Sequence, residues 1–400
     1  MTRLFHHLLQ NNVKITIASA QKPEPAWLAR ANFHWLPTAG WSGGRLGHLG
    51  QFGWLYLRAV GRGAGGDIRQ FAVNARQAGS MAAQIKMWRR LLPFAGQRWD
   101  AIYFPWNSAA ITYLPLFDLG CPVIISCRGA QVNIAPHNPD RIAIRAGLQT
   151  TFERAAAIHC VSAAIEEEAR QYGLDPKKAH IIRPAVDPGF FHPLDRPSND
   201  KDLFRIVTTG TLIWRKGYEY ALLAVRQLVD ENVPVHFDII GDGPDRQRIV
   251  YTVHDLGLAD HVTLHGRLAP EMIKNHLQQA DLFLFASLSE GISNAVLEAM
   301  ACGLPIVTTD CGGMREAVTD GQEGFLTPPR DKLGMAQAVK RIWNSPELKS
   351  QMGQAARQRI ISSFTLDRQA QDFVALCKHV LEREKAYEVA QARNLIKELV

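Results

Sequence analysis

The second half of the chain alternates short apolar, β-branched runs with segments of helical periodicity. Such alternation is typical of βαβ units around a parallel sheet. Strands are expected at residues 204–210, 235–241, 261–266, 281–286 and 304–309, and helices at residues 218–231, 244–256, 270–279 and 294–302. Each predicted strand ends in glycine or small polar residues. Because ligands of open α/β sheets bind at the carboxyl ends of strands, we expect a Rossmann-like domain with a ligand site there.

The first half repeats this scheme less regularly. Its strands are expected at residues 13–19, 100–105, 121–127, 156–161 and 179–183, whereas the glycine-rich residues 40–66 predict a loop or an irregular helix. Residues 187–201 are rich in Pro, Asp and Ser and read as a linker, and a long helix is expected from residue 366. A chain of 400 residues with 46% hydrophobic content is large enough for two domains.

Two carboxylates stand eight residues apart in the segment 289–313. Glu290 lies in a glycine-containing turn after an apolar run, and Glu298 lies about two turns inside the helix that follows. A ligand across the helix N-terminus could contact both acids and the backbone N–H groups of the turn. The alternative is a surface helix with a solvated acid at each end. We disfavour it because Glu298 sits in an apolar run, where an unpartnered carboxylate is costly.

The same segment resembles the signature of the retaining, nucleotide-sugar-dependent glycosyltransferases of family 4. Glu290 and Glu298 match the two acids of the family pattern, residues 299–307 (AMACGLPIV) match the run that follows, and Gly312-Gly313 matches its turn. The resemblance implies a GT-B fold, with two Rossmann-like domains facing a central cleft. It places these at residues 1–190 and 191–365, with a C-terminal helix, residues 366–400, crossing back to the first domain.

The activity implied is retaining transfer of a sugar from a nucleotide diphosphate sugar to a cell-surface polysaccharide or glycolipid. The family usually begins with a strand and a glycine-rich loop, and this chain begins at a segment that resembles the following helix. The alternative is therefore a catalytically inert sugar-nucleotide-binding homologue with a truncated first domain. A Rossmann dehydrogenase is disfavoured, since Gly241-Asp242-Gly243-Pro244 lacks the spacing of a dinucleotide fingerprint.

A diphosphate site is expected between a strand and a helix at residues 214–217 (WRKG). Lys216-Gly217 matches the family's phosphate-binding pair, and Arg215 is our inference for a second cation, since Thr211 stands where the family often has Arg. The alternative is a helix start with solvated cations. With cations available, no metal and no cofactor beyond the donor substrate are expected.

The resemblance assigns the remaining residues of the site. Glu290 would hydrogen-bond the donor sugar, and Glu298 the ribose. Arg128 stands where the family commonly has His; it would bind an anionic group or, alternatively, anchor its loop to a carboxylate. The other donor-binding residues expected are Gly291, Ile292, Ser293, Asn294, Gly210, Thr211, Gly241, Gly243 and Arg267.

Charge is spread unevenly along the chain. Residues 1–100 hold thirteen Lys and Arg but three acids, a net of +10 against +7 for the whole chain. No nucleic-acid motif accompanies this excess, so an anionic membrane surface or a lipid-linked acceptor fits better than nucleic acid. The alternative is a solvated basic face. Within residues 81–99, cations alternate with apolar side chains that either contact the membrane or face the core.

The remaining expectations concern location. No apolar run reaches the ~20 residues of a membrane span. We expect a cytoplasmic protein with reduced cysteines. It would attach peripherally to the inner face of the membrane, and its second substrate would be a carbohydrate or lipid-linked acceptor.

Overall fold

The computed structural model describes residues 2–10, 13–38, 45–76, 79–194 and 203–398. The strands are β1 (Ile15–Ser19), β2 (Phe33–Pro37), β3 (Ile102–Phe104), β4 (Val123–Cys127), β5 (Ala157–Cys160), β6 (Ala179–Ile181), β7 (Phe204–Thr209), β8 (Val235–Ile240), β9 (Val262–Gly266), β10 (Leu282–Phe285), β11 (Ile306–Thr309) and β12 (Gly324–Thr327). The helices are α1 (Thr2–Gln10), α2 (Pro25–Leu28), α3 (Arg45–Gly61), α4 (Gly65–Arg76), α5 (Met81–Leu91), α6 (Asn107–Thr112), α7 (Ala130–Asn133), α8 (Ala143–Arg154), α9 (Ala163–Arg170), α10 (Tyr218–Asp230), α11 (Arg246–Asp255), α12 (Pro270–Gln279), α13 (Asn294–Ala301), α14 (Met314–Ala317), α15 (Lys332–Trp343), α16 (Pro346–Ser363) and α17 (Leu366–Glu398).

The second half forms a parallel sheet in the order β9-β8-β7-β10-β11-β12. Counted along the chain this is the doubly wound order 3-2-1-4-5-6, whose direction reverses between β7 and β10. One face packs on α10, α11 and α15, and the other on α12, α13 and α16. The reversal leaves a crevice at the carboxyl ends of β7 and β10, because the helices after these two strands lie on opposite faces.

The first half contains a parallel sheet in the order β3-β4-β5-β6 and a separate parallel pair, β1 and β2. The expected α/β architecture with two parallel sheets is confirmed. Strand β2 was not predicted, and α3 shows that the loop alternative for residues 40–66 was wrong for residues 45–61. Leu55 and Ala59, one turn apart, are buried and hold α3 on the core in spite of its glycines. Residues 39–44 lie outside the described part.

The last helix returns to the first sheet, as expected. Phe373 and Leu376 of α17 pack in one apolar cluster with Ile124 of β4, Ala157 of β5 and Leu4 of α1. The chain therefore crosses between the two sheets twice. The two crossings touch, since the backbone N–H of residue 186 donates to the carbonyl of residue 364 at 2.9 Å. Of the expected linker, residues 195–201 lie outside the described part, and the domain boundaries stay predictions.

The segment 81–99 divides between core and surface. Leu91, Leu92 and Phe94 are buried, so the core-facing alternative is confirmed for them, whereas Met81 and Ile85 on α5 are exposed. No helix within the described residues is both long and apolar enough to cross a membrane.

Candidate active site

An ion pair joins the loops that follow β7 and β10. Lys216 Nζ lies 2.5 Å from Glu290 Oε1, and the Ser287 hydroxyl donates to the same oxygen at 2.9 Å. The two strands are neighbours in the sheet, which brings their loops together. The Lys216 and Glu290 side chains are only 13% and 10% exposed, and the Lys216 ammonium also lies 4.8 Å from the centre of the Phe285 ring. The predicted phosphate-binding lysine and the predicted sugar-binding acid thus form one unit.

The turn that carries Lys216 has a shape that requires glycine. Residue 217 has φ +64°, and a Cβ there would lie 2.1 Å from the Ala286 carbonyl oxygen. The carbonyl of Arg215 accepts the Leu288 N–H at 2.7 Å and lies 3.0 Å from the Ser287 hydroxyl oxygen, whose single proton is shared between this carbonyl and Glu290. The Arg215 guanidinium, half-buried, has no hydrogen bond or ion pair with the described residues. Its backbone fixes the turn while its charge stays available for an anion.

Glycines bring the neighbouring strand ends close together. A Cβ on Gly241 would lie 1.8 Å from the Gly210 carbonyl oxygen, and one on Gly243 would lie 2.4 Å from the Leu212 carbonyl oxygen. The Gly241 N–H donates to the Gly266 carbonyl at 2.8 Å. Thr211 and Arg267, which follow β7 and β9, are exposed. The predicted donor residues therefore line the carboxyl ends of four adjacent strands, β9, β8, β7 and β10.

The turn before α13 is buried against the next strand end. Gly291, Ile292 and Ser293 are buried, and Asn294, the first residue of the helix, is exposed. A Cβ on Gly312 would lie 1.8 Å from the Glu290 carbonyl oxygen, which explains the glycine turn after β11. This close packing of the turn after β11 holds the Glu290 backbone in place.

Glu298 lies in the second turn of α13 and is half-buried. It interacts with other described residues, so it is not the unpartnered carboxylate that its apolar surroundings would penalise. Burial raises the pKa of Cys302, one turn further on, to about 12, and the Glu298 charge adds to the rise. Burial likewise raises the pKa of Cys311 to about 11. Both thiols stay protonated near neutral pH and act as small apolar groups.

Loops of the first sheet cover this turn. A Cβ on Gly129 would lie 3.4 Å from the backbone nitrogen of Gly291. A Cβ on Gly291 would lie 2.6 Å from the Val161 side chain. Arg128, next to Gly129, donates from Nε to the Ser126 hydroxyl at 3.0 Å, and its guanidinium lies 5.9 Å from the centre of the Trp106 ring. The structure thus brings the neighbourhood of Arg128 against that of Glu290, across the cleft between the sheets.

Glu316 was not predicted, and it ties the two sheets together. From α14, its carboxylate accepts the N–H of Ala163 at 2.7 Å, at the start of α9, and pairs with Arg183 at 2.7 Å. A carboxylate at a helix N-terminus is favourable because the first N–H groups lack partners within the helix. No local pattern could have revealed this contact, since its partners lie more than a hundred residues away. Ser287 was also missed, although its place directly after a predicted strand was a usable signal.

Two family models match consecutive parts of the chain. The model of Glycosyltransferase Family 4 matches residues 2–190, and the model of Glycosyl transferases group 1 matches residues 194–359. The chain belongs to glycosyltransferase family 4.

Individual relatives are distant. The chain is 25% identical to alpha-D-kanosaminyltransferase of Streptomyces kanamyceticus over 74% of this chain and 80% of that one. It is 32% identical to the amylovoran biosynthesis glycosyltransferase AmsK of Erwinia amylovora, but over 42% of this chain, and it spans less than half of that relative's length (43%). Among solved structures, sucrose-phosphate synthase of Thermosynechococcus elongatus superposes with a TM-score of 0.72 at 16% identity, covering 95% of this chain and 92% of that one. The expected GT-B fold is confirmed.

Proposed function

We propose that the protein is a retaining glycosyltransferase that moves a sugar from a nucleoside diphosphate sugar to an acceptor of a cell-surface polysaccharide or glycolipid. The observation that carries the proposal is the meeting of Lys216, Arg215 and Glu290 at the strand ends where the sheet order reverses. The role of AmsK in amylovoran biosynthesis supports an acceptor of the polysaccharide class.

The diphosphate would bind between Lys216 and Arg215. An ammonium has three N–H donors, and Glu290 uses one of those of Lys216, so two remain for phosphate oxygens. The Arg215 guanidinium, without a partner among the described residues, supplies a planar pair of donors. Together these cations would neutralise the charge that develops on the leaving diphosphate.

The sugar and the ribose would lie along the turn and α13. Glu290 would accept hydrogen bonds from the sugar hydroxyls, with its orientation fixed by Lys216 and Ser287, and Glu298 would bind the ribose. Gly241 and Gly243 let the nucleotide approach the backbone closely. Arg267, exposed after β9, would contact the base.

In the reaction, the bond between the anomeric carbon and the diphosphate oxygen breaks, and the acceptor hydroxyl oxygen bonds to the same face of the anomeric carbon. The acceptor proton passes to a diphosphate oxygen, which avoids the need for a protein base. Arg128 cannot serve as one, because a guanidinium offers N–H donors and no acceptor. It would instead bind an anionic group of the donor sugar or acceptor.

The test uses the full chain and a panel of nucleoside diphosphate sugars. One or more should raise the melting temperature, because a ligand that binds only the folded state adds RT ln(1 + [L]/Kd) to stability. Transfer to oligosaccharide acceptors is then followed by NMR, and the coupling constant of the anomeric proton should show retention. Stabilisation without hydrolysis or transfer would favour the inert homologue, inversion would contradict the mechanism, and stabilisation by dinucleotides alone would overturn the assignment.

We also propose that the first half of the protein binds an anionic membrane peripherally, where a lipid-linked acceptor would lie. Trp54 and Leu57 on α3 and Met81 and Ile85 on α5 are exposed. The two helices adjoin, since the rings of Tyr56 and Trp88 lie 6.1 Å apart. This exposed apolar surface accompanies the net charge of +10 in residues 1–100. Apolar contact together with cations is the combination that binds anionic lipid surfaces.

Sedimentation with vesicles of high phosphatidylserine content checks this. The protein should sediment at low salt and be released at high salt, since screening weakens the attraction. The double variant Leu57→Glu/Ile85→Glu should stay in the supernatant. The matched control Tyr251→Glu alters an equally exposed side chain on the second sheet's α11 and should sediment like the unmodified protein. If the protein stays in the supernatant under all conditions, the membrane proposal fails. The basic face would then bind a soluble anionic acceptor.

A further inference from the structure

A polar cluster lies on one side of the second sheet, beside the strand end that carries Arg267. Asp238 on β8 and His265 on β9 face α12, and His276 on α12 lies against them. Further along the same side, Ile240 and Leu277 are fully buried apolar residues. A helix packed on a sheet normally buries apolar side chains at such positions. Three side chains that can ligate a metal stand there instead.

The three side chains converge. His265 Nε2 lies 2.6 Å from Asp238 Oδ1, and the rings of His265 and His276 are 4.4 Å apart at their centroids. One ligating atom from each residue lies within 4.8 Å of those of the other two. The ladder helps to place His265: Ile239 pairs with Leu264 but Ile240 pairs with Gly266, so residue 265 is an extra residue in a β-bulge. Bulges often redirect a side chain at functional positions.

We propose that Asp238, His265 and His276 bind a first-row divalent metal ion of the Zn²⁺ type. Two imidazole nitrogens and one carboxylate oxygen are a donor set that suits zinc, whereas Mg²⁺ and Ca²⁺ prefer oxygen donors throughout. The Asp238 and His265 side chains are 15% and 22% exposed, so water can complete the coordination.

His236 stands beside this set without belonging to it. Its Nε2 lies 3.9 Å from Asp238 Oδ1 and 2.9 Å from the Thr263 hydroxyl, which engages that nitrogen.

The proposed ion would join β8, β9 and α12 at the edge of the sheet. His265 directly precedes Gly266 and Arg267 at the donor site, and the Gly266 carbonyl accepts the Gly241 N–H. The ion would therefore stabilise the edge that carries Arg267 without contacting the diphosphate. This inference does not depend on the proposed reaction.

The experiment titrates the metal-stripped full-length protein with Zn²⁺ by calorimetry and with Co²⁺ by visible absorption. Asp238→Asn keeps an oxygen that accepts the His265 hydrogen bond but removes the charge, and His276→Gln removes one nitrogen ligand. His254→Gln, on an exposed histidine of α11, is the matched control for adventitious binding by surface histidines.

One equivalent of Zn²⁺ should bind to the unmodified protein and to His254→Gln, with a raised melting temperature. Both site variants should bind at least tenfold more weakly and lose the thermal shift, while Mg²⁺ has no effect on any of the four proteins. The proposal is overturned if the unmodified protein binds no Zn²⁺, or if the site variants bind it as tightly as the control does. Circular dichroism of Asp238→Asn establishes that a loss of binding is not a loss of fold.

Discussion

Lys216 and Glu290 compensate each other's charge in a mostly buried position. Breaking a buried pair by removing one partner costs about 3–5 kcal/mol, because the remaining charge is left uncompensated. A loss of activity after a single substitution would therefore mix a chemical effect with a structural one. The two effects separate when both partners are changed together.

We expect Glu290→Gln and Lys216→Met each to lower stability and to reduce sugar transfer tenfold or more, since each loses charge-assisted hydrogen bonds worth about 1.5–3 kcal/mol. The double variant should be more stable than the sum of the two losses predicts, with a coupling of about 1–3 kcal/mol, yet should not regain transfer. Urea unfolding and initial rates measure the two quantities. Transfer at the unmodified rate in Glu290→Gln would remove this residue from the site.

The sequence predicted the residue types of this site better than their contacts. Glu290, Lys216 and the glycines were found because motif, strand end and helix start coincide locally. The Lys216–Glu290 contact was not found, because it depends on β7 and β10 being neighbours, which only the strand order establishes. The contacts of Glu316 and the cluster at His265 were not predicted for the same reason, because their partners come from distant segments of the chain.

At the scale of elements, the contact between β5 and α17 contains a buried histidine. His159 is fully buried, its Nε2 lies 2.8 Å from the Ile182 carbonyl oxygen, and its ring meets Phe373 of α17 edge-on at 4.7 Å. A carbonyl only accepts, so Nε2 carries the proton, and Nδ1 is left to accept from the Tyr103 hydroxyl at 3.4 Å. Burial lowers the pKa of His159 to about 3. This histidine holds the last helix in place as a neutral group.

The contact should therefore weaken in acid. The unfolded chain takes up a proton at His159 below pH 6.5 and the folded chain does not, so stability is full above that pH and falls as the pH drops towards 3. Between pH 7 and pH 5 the loss from this one group should be about 2 kcal/mol. Urea unfolding at both pH values should show a smaller pH dependence in His159→Gln than in the unmodified protein, by about that amount. Equal pH dependence would show that His159 titrates normally.

Ten of the twelve strands in the described residues and the helices α10 to α13 were predicted from the sequence, whereas β2, β12, α15 and α16 were not. A strand buried on both faces, such as β10, reads as an apolar run, and β7 is marked by the glycine that directly follows it, Gly210. Strand β2 lacks that pattern: in β2 only Phe33 and Leu36 are buried, and His34 is exposed. Helix α3 has four glycines, and its packing on the core outweighs their low helix propensity.

At the scale of the whole molecule, Glu316 holds the two sheets together across the cleft, and its contact is separate from the donor residues. We expect Glu316→Gln to favour a more open arrangement, because Arg183 loses a charged partner and α9 loses the negative charge at its start. The radius of gyration in solution scattering should rise. The kcat/KM for transfer should fall about three- to tenfold, since about 1 kcal/mol is expected from a partly exposed pair.

Binding of the nucleoside diphosphate alone should stay unchanged, because its residues belong to the second sheet. Arg315→Gln is the matched control, since this neighbouring residue pairs with Asp310 on the same side of the cleft. If nucleotide affinity falls together with transfer in Glu316→Gln, the variant has damaged the second sheet and not the contact between the sheets.

The return of α17 to the first sheet also has a consequence for synthesis on the ribosome. The strands of the first sheet emerge early, but Phe373 and Leu376, which cover Ile124 and Ala157, emerge only after the whole second sheet. At about 5–20 residues per second, this leaves an apolar face of the first sheet uncovered for roughly ten seconds or more. The strands and covering helices of the second sheet come from one continuous stretch of the chain, so this sheet is covered as soon as that stretch has been made. Translation speed through residues 203–363 thus sets how long this face of the nascent first sheet stays uncovered.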